Sequence, residues 1–318
     1  MQKINENGNS DHWADKKEIA VLSWQLRLTS FVACHLPVFF KNALAMAITF
    51  FYFATMKKER EASMCFLKKC KGKASLLDSY KHFLSFSLSL MEKFYCWSGR
   101  PAISQIETQQ DDMDKLCKGL EDGEGCLMIC SHLGNIEYLW SSAALGKTHV
   151  KRKFEIYPIA DTAITPKQNN ILNRNAKTIN ANSIGIEEIT LLSEKLAEGN
   201  VAIVAGDRVS ATTRNRTVSV QFFGQQACFP MGVFALACAL KVPVYFVFAL
   251  REKDLVFSSG CKMHIHKASC IMQGSYSERK RQIPNLAEEF AKLLEYYCLK
   301  HPMQWYNFYD FWAEKNNN

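Results

Sequence analysis

Cys126-Leu127-Met128-Ile129-Cys130-Ser131-His132-Leu133-Gly134-Asn135-Ile136-Glu137 decides the fold and frames the chemistry. The run from Cys126 to Cys130 is uninterruptedly apolar and is bounded by Gly125 and the polar Ser131. A short run of this kind reads as a strand buried on both faces. A helix is expected to start near Gly134 or Asn135 and to carry Glu137, Leu139 and Trp140 in its first turns. His132 then sits on the loop leaving the strand, with Glu137 just inside the helix.

The spacing constrains the geometry. On one straight helix, five residues correspond to about 140° of rotation, so the two side chains would not face each other. With His132 on the loop and Glu137 on the helix, they can meet. A carboxylate on one ring nitrogen leaves the other as a base near neutral pH. Backbone N–H groups near Gly134 and Asn135, at the helix start, would receive an anion or a developing oxyanion. The plainer alternative is a loop histidine that caps the next helix.

Downstream, strands and helices alternate. Phe154 to Ala160 is a second expected strand, made imperfect by Pro158. Residues 162–176 are polar and helix-compatible, and Glu187 to Ala197 is amphipathic with Gly199 as its stop. Val201 to Ala205 is a third buried strand. It delivers Gly206-Asp207-Arg208 at its carboxyl end, where open α/β sheets place ligands. Arg208 offers a fixed fork of donors to a phosphate, which Asp207 would hold in place. An intramolecular ion pair is the duller reading of the same residues. Lys147, Lys151, Arg152, Arg214 and Arg216 would add positive field or simple solubility.

Val218 to Phe223 is a further expected strand, Gly224 turns the chain, and Pro230-Met231-Gly232 opens an apolar helix through Leu240. Val242 to Leu250 and Lys262 to His266 read as strands, the second at an edge. Pro284 starts a helix with Leu286, Phe290, Leu293, Leu294 and Tyr297 on one face. The stretch Pro302 to Trp312 is densely aromatic. The alternation from 125 to 300 predicts an α/β fold, with a mixed, mostly parallel sheet flanked by helices.

The first part of the chain differs. Residues 1–18 are polar and expected to be flexible, and they do not read as a secretory signal. Residues 19–120 read as helical. Ala43 to Met56 carries no charge, but a spanning helix needs roughly 20 apolar residues, and Pro37, Lys41 and Asn42 interrupt the extension. A buried core helix and a helix lying in a membrane interface both fit. Lys57, Lys58, Arg60, Lys68, Lys69, Lys71 and Lys73 follow closely and favour the interface of an anionic leaflet. Tyr80 to Tyr95 is another apolar helix, stopped by Ser98-Gly99-Arg100, and a short helix is expected around Met113 to Leu120.

The net charge of +8 over 318 residues favours an anionic partner. The basic residues are spread along the chain and no recognition motif accompanies them, which argues against nucleic acid. The 12 cysteines show neither a Cys-x-x-Cys pair nor zinc spacing, so they read as reduced packing residues of a cytosol-facing protein. His264 and His266 share a strand face without a third metal ligand nearby. Ser131 lacks a Gly-x-Ser-x-Gly elbow, and Cys130 would be buried in its strand, so neither reads as a nucleophile.

The string Ser131 to Glu137 resembles the first motif of the glycerolipid and lipid A acyltransferase superfamily. The order of later pieces is similar too: Asp207-Arg208, Phe222-Phe223-Gly224, Pro230-Met231-Gly232 opening a helix, and Val242-Pro243-Val244 on the next strand. Pro302 to Trp312 resembles the end of a bacterial branch related to the lipid A lauroyl and myristoyl acyltransferases. The resemblance runs from about residue 20 to 312. One departure is Glu137, where glycerol-phosphate acyltransferases commonly have Asp; Glu is usual in part of the lipid A branch.

The resemblance implies a membrane-associated acyltransferase on the cytoplasmic face of an inner membrane, with 121–318 as its α/β core. It would need no cofactor. It would move a fatty acyl chain from an acyl carrier protein or coenzyme A thioester to a hydroxyl or amine of a lipid or glycolipid acceptor. His132 would be the general base and Glu137 its orienting partner, with Gly134, Asn135, Asp207, Arg208, Phe223 and Gly224 at the substrate. Two alternatives stand beside it: a thioesterase or lipid hydrolase using the same dyad, and a non-catalytic membrane-binding protein of the same fold.

Overall fold

The computed structural model describes residues 29, 31–97, 103–108, 110–144, 148–160, 184–185, 188–209, 215–269 and 274–312. The expected flexible start, the helix-compatible segment 162–176, the stop at Ser98-Gly99-Arg100, Lys147 and Arg214 lie outside these residues. In chain order the elements are α1 (Val38–Thr55), α2 (Lys57–Lys71), α3 (Leu76–Trp97), β1 (Ile103–Thr108), α4 (Gln110–Glu121), β2 (Cys126–Cys130), α5 (Glu137–Ala144), β3 (Ile156–Ala160) and β4 (Ile184–Gly185). There follow α6 (Ile189–Ala197), β5 (Val201–Ala205), β6 (Thr217–Phe222), β7 (Gln225–Pro230), α7 (Met231–Leu240), β8 (Val244–Arg251), β9 (Cys261–Lys267), α8 (Tyr276–Lys280) and α9 (Ile283–Lys300).

Seven strands form one sheet in the order β1-β9-β8-β2-β5-β3-β4. β2 lies parallel to both β5 and β8, and β3 parallel to β5. β9 runs antiparallel to β8, which makes the sheet mixed. The central strands are buried from end to end, as their continuous apolar runs require. Alternate side chains go to opposite faces. Leu127, Ile129, Ala202, Val204, Phe246 and Phe248 pack in one cluster with Phe234 of α7 and Phe290 of α9. Cys126, Met128, Cys130, Val201, Ile203, Tyr245 and Val247 pack in the other with Leu116 and Leu120 of α4 and Tyr138 of α5. Helices on both faces therefore close two cores around one sheet.

Two elements differ from the sequence expectation. Ile103–Thr108 is an edge strand on β9, so the sheet begins before residue 120, and β9, expected at an edge, lies between β1 and β8. Gln225–Pro230 pairs antiparallel with β6 as a separate hairpin, where a turn into the helix was expected. Both are short and polar at one end, which mutes the period-two signal.

The N-terminal helices pack on one another through Ala45, Leu84, Leu88, Met91 and Phe94. α1 extends back to Val38 because Lys41 does not interrupt it. The Lys41 ammonium is buried over the rings of Tyr95 and Phe257, at 5.1 and 4.4 Å. The buried stripe of α1 is Lys41, Ala45 and Thr49, while Phe39, Phe40, Ile48, Phe50 and Phe51 face outward. This inverts the usual pattern of a soluble helix.

Candidate active site

β2 ends at Cys130, and α5 starts at Glu137. The loop between them carries His132 at the carboxyl edge of the parallel strands, where β5 delivers Asp207 and Arg208. Gly134 lets the loop turn with φ 78°; a Cβ there would lie 1.9 Å from the Ala249 carbonyl oxygen of β8. Asn135 is buried, and its Oδ1 accepts the Glu137 N–H at 3.3 Å, capping α5.

The carboxylate that meets His132 is Asp207. Nδ1 lies 2.8 Å from Asp207 Oδ1, and the His132 backbone N–H donates to Oδ2 at 2.9 Å. The Trp305 indole N–H donates to the same Oδ2 at 2.9 Å. Burial alone would raise the Asp207 pKa, but His132, Arg208 and Trp305 outweigh it and hold the group down to about 2. An ionised carboxylate only accepts, so Nδ1 carries the proton and Nε2 carries the lone pair. Burial and the Arg208 charge lower the His132 pKa more than Asp207 raises it. The imidazole is thus neutral near pH 7, with its side chain 38% exposed.

Glu137 does not contact His132. Its Oε1 lies 2.7 Å from Lys93 Nζ on α3. His132 and Glu137, expected to pair from their five-residue spacing, are thus held by different partners, and the carboxylate on the His132 ring comes from a residue 75 positions away. Helix α5 begins only at Glu137 and docks against the end of α3, which turns the carboxylate toward Lys93.

The expected oxyanion donors are also engaged elsewhere. Gly134 N–H donates to Gln304 O at 2.8 Å, and Asn135 N–H donates to Ala249 O at 2.8 Å. The loop is stitched sideways between β8 and the C-terminal segment, so these amides do not face the ring of His132. Leu133 pairs with Trp305 as an antiparallel bridge, and Tyr306 N–H donates to His132 O at 3.1 Å.

That segment, 301–312, straps the site. Arg208 donates to the Tyr306 carbonyl through Nη2. Buried Arg251 donates to Tyr306 Oη at 2.7 Å and to Ser85 Oγ at 2.6 Å. Gln304 exchanges hydrogen bonds with the Arg251 backbone at 2.8 and 2.9 Å. Buried His82 bonds Trp305 O at 2.8 Å through Nε2 and Ser63 Oγ at 3.0 Å through Nδ1. Burial pushes its pKa down to about 4, so it is neutral.

Phe223 and Gly224 form the two-residue turn of the β6–β7 hairpin, with φ of 53° and 68°. Phe223 N–H donates to Glu295 Oε2 at 2.5 Å. The Phe223 ring meets Phe66, which in turn meets Trp305. Phe223 also meets Phe222 and Trp312, and both of these rings meet Trp305, so the turn connects to Asp207 through an aromatic cluster. His264 packs against the Tyr297 ring and His266 bonds its hydroxyl, away from the dyad. Cys130 is buried with its thiol pKa pushed up, and Ser131 Oγ accepts the Leu133 N–H at 3.2 Å, so neither is poised as a nucleophile. Sequence alone does not assign Asp207 as the partner of His132, Trp305 as a further donor to Asp207, or Lys93 as the partner of Glu137. The strand-end position of Asp207 was the one available signal.

A family model described as bacterial lipid A biosynthesis acyltransferase matches residues 27–313. No curated relative matches the chain.

Proposed function

The chain belongs to the bacterial lipid A biosynthesis acyltransferase family, and from that premise we propose that it moves a fatty acyl chain from a carrier-protein or coenzyme A thioester to a hydroxyl or amine of a lipid acceptor, with His132 and Asp207 as the general-base dyad. The observation that carries this reading is the His132 Nδ1–Asp207 Oδ1 contact of 2.8 Å, which leaves Nε2 as the basic nitrogen.

His132 Nε2 takes the acceptor's proton as its oxygen or nitrogen attacks the thioester carbonyl. Asp207 stabilises the imidazolium that forms and keeps the ring in its tautomer. The imidazolium then returns the proton to the departing thiolate. Arg208, which donates to the Tyr306 carbonyl beside the site, would supply positive charge to a phosphate of donor or acceptor.

The outward apolar face of α1 supports association with a membrane. α1 has 18 residues, with 17% of that length buried, and the bulky side chains point away from the protein. A lipid surface is the environment that suits such a face. The basic residues of α2 beside it fit an anionic leaflet.

The test supplies labelled acyl carrier protein and acyl coenzyme A to membranes holding the wild type or His132→Ala. Label entering lipid with wild type alone supports the reading and identifies donor and acceptor. Free fatty acid alone assigns a hydrolase instead, and equal products from both chains remove His132 from the chemistry.

A further inference from the structure

We propose that Lys93, held by Glu137, is a catalytic residue that receives the oxyanion forming on the thioester carbonyl. This rests on the acyl-transfer reading above and adds a group that reading leaves out.

Three observations point to it. First, the amides of Gly134 and Asn135 are committed to Gln304 and Ala249, so they are not available to the negative charge. Second, Lys93 lies near the end of α3 and its ammonium meets Glu137, the last residue of the motif and the first of α5. Its charge acts on His132 and on Cys130, and its side chain is 38% exposed. Third, the end of α3 is fixed to the motif loop. Asn135 Nδ2 donates to Ser89 O at 3.4 Å. Glu137 Oε1 then fixes the ammonium at 2.7 Å. A cation anchored this way does not need to reorganise when charge develops.

The step balances. The acceptor's O–H proton goes to His132 Nε2 while its oxygen bonds the carbonyl carbon. The C=O π pair moves to oxygen, and in the proposal the Lys93 ammonium receives that charge. Collapse restores C=O, breaks C–S, and the thiolate takes the proton from His132. Glu137 is a positioning residue, acting through Lys93.

The test uses full-length protein in mixed micelles with an acyl coenzyme A and extracted membrane lipid as acceptor. It compares Lys93→Met, Lys93→Arg, Glu137→Gln and the Lys93→Met/Glu137→Gln pair. Lys93→Met is expected to lower kcat on the order of 10²-fold with KM within about threefold. Lys93→Arg recovers much of the loss. Glu137→Gln lowers kcat about tenfold, and the double variant is no worse than Lys93→Met, because Glu137 acts through Lys93. If the single losses multiply, Glu137 acts independently and the proposal is wrong. A Lys93→Met kcat within about threefold of wild type also overturns it.

A titration of the His132 ring by NMR gives a readout independent of turnover. The charged groups that act on the ring are Arg208, Asp207 and Lys93. Removing Lys93 raises the ring's pKa if the ammonium sits beside it; an unmoved titration contradicts that placement. Inactive wild type with a moved titration would sink the acyl-transfer reading while keeping Lys93 in the site. Active wild type, inactive His132→Ala and unimpaired Lys93→Met would sink only the role of Lys93.

Discussion

Asp207 grips His132 twice, accepting the ring Nδ1 proton at 2.8 Å and the backbone N–H of the same residue at 2.9 Å. One carboxylate therefore fixes both the loop and the tautomer. Because Asp207 lies at the end of β5 and His132 beyond the end of β2, two paired parallel strands set the distance between them. The basic nitrogen is positioned by the sheet rather than by a mobile loop.

The acid limb of kcat/KM reports His132 in the free enzyme. Burial and Arg208 depress the ring's pKa, opposed by Asp207 and with Lys93 adding to the depression. The limb is expected below the ordinary imidazole value of about 6.5. Arg208→Gln removes one depressing charge and shifts the limb to higher pH. A limb that moves down, or stays in place, would show that Arg208 does not act on the ring.

Trp305→Phe keeps the ring's bulk in the aromatic cluster and deletes one donor to Asp207 Oδ2. A hydrogen bond to a charged group contributes about 1.5–3 kcal/mol. Denaturant titration is expected to record a stability loss of that size. Unchanged stability would mean that the indole N–H is not needed by the carboxylate.

His82 makes stability depend on pH. Its folded pKa is about 4 against roughly 6.5 unfolded, so the unfolded chain binds the proton first. The His82 contribution is full above the unfolded value and is lost as pH falls from there toward the folded value. At pH 5 the loss is about 2 kcal/mol. His82→Gln should show a correspondingly smaller fall in stability between pH 7.5 and 5 than wild type. Parallel pH profiles for the two chains would refute the neutral, buried ring.

Phe39, Phe50 and Phe51 are 76%, 67% and 64% exposed on α1. Replacing all three by Ser removes apolar area worth roughly 1.5–3 kcal/mol per ring in a lipid interface. Binding to vesicles of neutral and anionic phospholipid should drop at least on the order of 10²-fold, with the melting temperature in detergent unchanged. Retained vesicle binding would assign membrane contact to another surface.

Much of the fold is legible because the central strands are unambiguous. Cys126 to Cys130, Val201 to Ala205 and Val242 to Leu250 are apolar runs too short for helices, separated by helical patterns. Local sequence also places His132 at a strand end. It does not identify the partner, because Glu137 is near in sequence and Asp207 is near in space. Asp207 read as a holder for Arg208, yet its oxygens go to His132 and Trp305. The aromatic tail hides its role for the same reason: 301–312 acts by crossing back over the motif loop, a long-range pairing that no local period encodes. The outward face of α1 was obscured by Lys41, whose burial over two rings depends on α3 and on the β8–β9 loop.

The most direct measurement compares single-turnover acyl transfer by Asp207→Asn and Glu137→Gln beside wild type at pH 7.5. Both variants are first checked for an unchanged melting profile. An asparagine keeps the shape but no longer enforces the tautomer, so Asp207→Asn should slow transfer on the order of 10³–10⁴-fold. Glu137→Gln, acting only through Lys93, should retain about a tenth of the rate or more. The reverse ranking, with Glu137→Gln nearly inactive and Asp207→Asn close to wild type, would contradict the dyad and return the orienting role to Glu137.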